Sequence, residues 1–172
     1  MISGLYETHL FVANLENSID FYKNTLELEL CHVEKERRVA FFWVGKPKDA
    51  MLGLWEKPAS EICKSHIAFR CEADDILHRA ADYFQQRKIK PYNFLQDGTE
   101  RPMVFCWMPA LSIYFNDPDG HSLEFIAILK GEGRPGWGVI PYDEWTRLAG
   151  TGNFFCCSCV NQLSIRAAID EA

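Results

Sequence analysis

A chain of 172 residues, 48% hydrophobic and 24% charged, is long enough to bury one core or two small fused ones. Its formal charge of −6, with no dense block of lysine or arginine, excludes a phosphate-neutralising surface, so a small-molecule substrate is expected and no nucleic-acid or membrane partner. The N-terminal MISGLYETHLFV lacks the basic flank and apolar run of a secretory signal, and no stretch approaches the roughly 20 apolar residues of a membrane span, which points to the cytoplasm.

The first element is a strand around Tyr6–Val12 that carries His9, and Asn14 or Asn17 can cap a helix whose apolar stripe is Leu15, Ile19, Tyr22 and Leu26. Strand-like runs follow at 28–34, 38–44 and 50–55. The pattern then repeats. Cys63–Phe69 (CKSHIAF) echoes the first strand and carries His66, and Asp74 can cap a helix with the stripe Leu77, Ala80, Ala81 and Phe84. Further strands are expected at 90–95, at 103–115 with a break at Pro109, and at 121–128. Asn116-Asp117-Pro118-Asp119-Gly120 supplies the turn before the last of them.

Each half therefore reads β-α-β-β-β. The expected fold is α+β: two tandem βαβββ modules, residues 1–57 and 61–129, forming a curved mixed sheet with helices outside, followed by a C-terminal extension at 130–172. The extension is Gly/Pro-rich, with a helical turn or two around Tyr142–Leu148. Seven cysteines without secretory context are expected as reduced thiols. Three of them, Cys156, Cys157 and Cys159, lie close together but lack the second ligand pair of a structural zinc site, so that run is read as a tail.

Alternation along the strands separates a core face from an open one. Leu10 and Val12, Ile67 and Phe69, and Leu123 and Phe125 mark core faces, which leaves His9, His66 and Glu124 facing one shared concavity. Two imidazoles and a carboxylate suit one divalent ion, Zn, Ni, Mn, Co or Fe(II), with coordination positions left for substrate. His32, His78 and His121 are weaker; His121 has core-face parity and reads as structural. Tyr114 and Ser112 share one face of their strand, Arg70 shares that of His66, and Phe11, Met51, Trp55 and Met108 would line an apolar pocket. Glu7 or Glu124 could serve as a base, and Tyr114 as an acid.

THLFVANLENSIDFYKNTLELEL, SHIAF and IYFNDPDGHSLEFI together resemble the vicinal oxygen chelate superfamily, which includes glyoxalase I, fosfomycin-resistance thiol transferases, extradiol dioxygenases and bleomycin-binding proteins. The resemblance spans about residues 4–129 and implies His9, His66 and Glu124 as metal ligands and a homodimer; the residues themselves add Glu124 and Tyr114 as catalytic candidates and Phe11, Trp55, Arg70 and Ser112 as substrate-binding ones. A lyase or isomerase of glyoxalase I type is the first expectation. The alternatives are a fosfomycin-type transferase using a thiol cosubstrate, a ring-cleaving dioxygenase and a non-catalytic drug-binding protein. Glyoxalase I takes a fourth ligand, a glutamate from the last strand of the first module, and aligning MLGLW with SLEF puts Gly53 there, with Glu56 facing the other way. The fosfomycin transferases match at Tyr114 and Ser112 but carry a threonine where this chain has Phe11. The dioxygenases' acid-base histidine has no counterpart between Leu52 and Ser65.

Overall fold

The computed structural model describes residues 1–151. The first module runs β1 (Glu7–Val12), α1 (Leu15–Asp20), β2 (Glu29–Glu34), β3 (Val39–Val44) and β4 (Ala50–Glu56). Asn14 caps α1, its Oδ1 accepting from the Asn17 N–H at 2.8 Å, which satisfies one of the donors every helix start leaves open. The helix continues as a π turn over Phe21–Thr25. The sheet order is β1-β4-β3-β2, with β1 parallel to β4 and the other pairs antiparallel.

The second module repeats the plan with β5 (His66–Arg70), α2 (Ala73–His78), α3 (Ala80–Arg87), β6 (Met103–Phe105), β7 (Ala110–Asn116) and β8 (Ser122–Ile128). Here the helix departs from expectation. Glu72, not Asp74, occupies the N-cap, without a side-chain bond, and the backbone breaks at Arg79 with φ −123. Ala81 lies exposed, while Ile76, Ala80 and Phe84 carry the buried stripe. The strand expected at 90–95 shrinks to one bridge, Tyr92 to Tyr114. Pro91 withholds a donor, and the buried Asn93 amide turns the chain by donating to Asp97 Oδ1, Thr99 O and Thr99 Oγ1 at 2.6, 3.0 and 2.9 Å.

The extension adds β9 (Val139–Pro141), which the sequence did not disclose, and α4 (Tyr142–Thr151). β9 pairs with β6, giving the order β5-β8-β7-β6-β9. The fold is thus mixed α+β in two tandem modules, with helices outside and one hydrogen-bonded sheet per module. A single apolar core joins them, with Leu10, Val12, Tyr22, Phe42, Leu52 and Leu54 from the first and Phe84, Leu111, Phe115 and Leu123 from the second. Polar clamps cross the same junction: the Tyr22 hydroxyl donates to Asp117 Oδ2 at 2.9 Å, and the Tyr83 hydroxyl and Arg87 Nε donate to the Thr25 carbonyl at 2.7 and 2.9 Å. The Cys-rich run at 156–159 lies outside the described residues.

Candidate metal centre

The pleat distributes the site residues as alternation requires. In β5, His66, Ala68 and Arg70 are exposed while Ile67 and Phe69 turn inward; in β1, Glu7, His9 and Phe11 are exposed or nearly so while Leu10 and Val12 are buried. Parallel pairing sets Ala68 opposite Glu124 and His66 opposite Ser122, and antiparallel pairing sets Tyr114 opposite Glu124.

His66 and Glu124 meet, with Nε2 to Oε2 at 3.1 Å. The His66 Nδ1 sits 3.1 Å from the Ser122 carbonyl. A carbonyl only accepts, so Nδ1 carries a proton and Nε2 is the ring nitrogen that faces the carboxylate. Glu124 is 3% exposed, and its Oε1 is buried without a hydrogen-bond partner. A buried, half-satisfied carboxylate is costly unless something else binds it. Burial pushes the Glu124 carboxyl above its ordinary value, against the pull of Tyr114 and His66. Burial, with Glu124 beside it, holds the Tyr114 phenol well above its ordinary value. The Ser112 hydroxyl, on the same face two residues away, is also buried and unpartnered.

His9 stands apart. Its Nε2 lies 2.7 Å from Glu7 Oε1, and its ring packs 5.6 Å from Trp55 and 6.2 Å from Phe41. Among the described residues of one chain no group of three His, Cys, Asp or Glu side chains could hold a metal ion. One chain therefore brings together two of the three expected ligands. Their donor set fits a divalent ion that takes nitrogen and oxygen, and the orphaned Glu124 oxygen is an acceptor in place for it.

The ladder corrects one alignment. His9 pairs with Gly53 as His66 pairs with Ser122, so the first-module counterpart of Glu124 is Trp55, opposite Phe11, and not Gly53. Neither residue is a carboxylate. Gly53 has a different duty: a Cβ there would stand 2.5 Å from His9 Cδ2 and 3.2 Å from Phe41 Cε1, so the His9 ring occupies the space a side chain would take. Glu56 faces the helix side, accepting from the Leu15 N–H at 2.8 Å and from Arg38 at 2.6 and 2.9 Å.

Phe11, 44% exposed, and Trp55, whose Nε1 is buried without a partner, lie on the His9 face. Arg70 keeps the parity of His66 but lines a cavity with Leu26, Val44 and Phe125 whose wall does not include His66. A larger cavity of about 650 Å³ opens beside His66, walled by Lys64, Lys90, Tyr92, Gln96 and Ser122. Tyr92 was not singled out from sequence. Its hydroxyl is 2.9 Å from Ser122 Oγ and its ring stacks on Tyr114 at 5.7 Å, a role set by one isolated bridge that leaves no periodic signal.

Residues 4–125 match the family model described as Glyoxalase/Bleomycin resistance protein/Dioxygenase superfamily. The chain belongs to this superfamily. Among curated relatives, the metallothiol transferase FosB of Staphylococcus haemolyticus (strain JCSC1435) is 35% identical over 133 residues, covering 72% of this chain and 83% of that protein. FosB of Shouchella clausii (strain KSM-K16) is 31% identical over 127 residues, covering 72% and 80%. Of solved structures, the integron cassette protein HFX_CASS4 from the Halifax Harbour sewage outfall metagenome superposes with a TM-score of 0.62 at 31% identity, covering 74% of this chain and all of that one. The fosfomycin resistance protein FosX of Mesorhizobium loti, at 22% identity and a TM-score of 0.53 over 75% and 95% of the chains, shares the fold. Within the superfamily, the FosB relatives favour the fosfomycin-resistance alternative over the glyoxalase I type expected first.

Proposed function

We propose that this protein is a divalent-metal-dependent thiol transferase of the fosfomycin-resistance type. It joins a thiol to a small electrophile bearing adjacent oxygens, in a site completed between two copies of the chain. The observation that carries the reading is the His66–Glu124 pair with its orphaned Oε1, flanked by Tyr114 and Ser112, in a chain 35% identical to a metallothiol transferase. The residue equivalent to the fourth glyoxalase I ligand is Trp55, which speaks against the lyase reading. The open faces of β1 and β5, with Phe11 exposed on the first, support a homodimer in which His9 of one copy reaches His66 and Glu124 of the other.

His9, His66 and Glu124 would hold the ion, which when bound supplies Lewis-acid stabilisation of negative charge on a substrate oxygen. Tyr114, held protonated by burial beside Glu124, keeps its proton and donates a hydrogen bond to that oxygen. Ser112 offers a second hydroxyl on the same face. The cavity walled by Lys64 and Lys90 has room for the thiol. Phe11 and Trp55 give the electrophile an apolar wall in place of a hydroxyl, so a substrate with an apolar portion is favoured over a bare phosphonate.

The test is elemental analysis of the purified protein followed by a turnover screen of metal-loaded enzyme with fosfomycin and other epoxides plus thiols, with α-ketoaldehyde–thiol adducts and catechols as rivals. About one metal per chain and thiol adducts of an epoxide are expected. Turnover of the rivals alone would move the protein to another branch, and no metal under any loading would end the catalytic reading.

A further inference from the structure

His121 is fully buried and makes two hydrogen bonds that leave the second module's turn in opposite directions. Its Nε2 faces the Phe11 carbonyl of β1 at 2.8 Å, and its Nδ1 accepts from the Ser65 N–H, one residue before His66, at 3.0 Å. The first bond needs a proton on Nε2 and the second a lone pair on Nδ1, so both are met by one neutral tautomer. The turn that presents this ring is itself fixed: Asp117 Oδ1 accepts from the Asp119 and His121 N–H groups at 3.0 and 2.8 Å, and Gly120 takes φ +80. The next residue, Ser122, donates its N–H to the Ser65 carbonyl at 2.9 Å and receives the His66 Nδ1–H on its own carbonyl.

We infer that His121 is a positioning residue that ties the two histidine-bearing strands together. One imidazole holds β1 two residues from His9 and β5 one residue from His66, so the modules of a chain cannot rotate against each other without breaking one of its bonds. The orientation of the two half-sites, and with it their fit to a second copy, is thereby set by a side chain that touches neither metal nor substrate. This inference rests on His9 and His66 being ligands.

The test uses full-length protein loaded with Co(II), whose d–d bands report ligand geometry. His121→Asn keeps an acceptor near the Nδ1 position but falls short of Phe11; His121→Gln reaches toward Phe11 and gives up Ser65. Tyr83→Phe, which removes a bond of the same junction away from the Asp117 turn, serves as the structural control. Both His121 variants are expected to weaken Co(II) binding by roughly 10–100-fold and to shift the bands at saturation, whereas Tyr83→Phe lowers only the melting temperature. Wild-type bands and affinity in either folded His121 variant would overturn the inference. So would failure of both to fold, which would make His121 a folding residue. Loss of Co(II) in His66→Ala alongside wild-type behaviour of the His121 variants would leave the metal site standing and remove only the positioning role.

Discussion

At the residue scale the chain spends stability on its site. Glu124 is kept almost dry with one oxygen unsatisfied, next to a histidine whose Nε2 faces its other oxygen. In metal-free protein Glu124→Gln should therefore hold or raise the melting temperature, by up to about 2–4 °C for each 1 kcal/mol of relieved desolvation, while abolishing tight metal binding. A variant that melts well below wild type without metal would show that the carboxylate is a structural group. Gly53 is the complementary case, because a methyl there collides with the His9 ring. Gly53→Ala should fold, since the strand tolerates alanine, yet lose metal affinity by on the order of tenfold as His9 is displaced. Equilibrium dialysis against Zn(II) measures both. The open-face histidines were legible from alternation alone, since Leu10, Ile67 and their neighbours mark the buried parity. The burial of Glu124 was not, because it depends on the side chains that pairing sets beside it, Tyr114 of β7 and His66 of β5, a tertiary effect that period-2 reading does not contain.

At the element scale, the entry to α1 couples helix capping to the last strand of its module. Glu56 accepts from Leu15 N–H and from Arg38, whose guanidinium also grips Glu16, and Arg38 itself sits at φ +55. The Arg38 hydrogen bond, then that of Leu15, holds the Glu56 carboxyl below its ordinary 4.5, and Arg38 likewise lowers Glu16 to about 2. A depressed carboxylate favours the fold above its unfolded value, and that contribution is lost as pH falls through the folded one. Glu56→Gln should cost on the order of 1 kcal/mol at pH 7, with the gap to wild type narrowing as pH drops below 4.5. Thermal melts across pH 3–7 decide it, and a gap unchanged at the acid end would mean that packing and not charge is at work. The Asn14 cap and the strand runs of the first module could be read in advance because each is local. The loop built on Asn93 and strand β9 could not, since the first rests on side-chain bonds to backbone that carry no periodicity and the second on a partner far away in sequence; the break at Arg79 leaves no mark in the sequence pattern.

At the scale of the whole molecule, the repeat gave the architecture, yet within a single chain His66 and Glu124 meet while His9 stands apart from them. Parity says which face a side chain takes and nothing about which copy it faces, so this division lay beyond the sequence. If two copies exchange His9 across their interface, complementation follows from symmetry. In a dimer of one His9→Ala chain and one His66→Ala chain, one site draws His66 and Glu124 from the first and His9 from the second and is whole, while the other lacks both histidines. Random mixing after reversible dissociation makes half the dimers mixed, each with one intact site of two. Metal content and turnover should then return to about a quarter of wild type from two inactive parents. Sites built within one chain would stay inactive at every mixing ratio, so a flat line across the titration would reject the shared site even if both parents fold and dimerise.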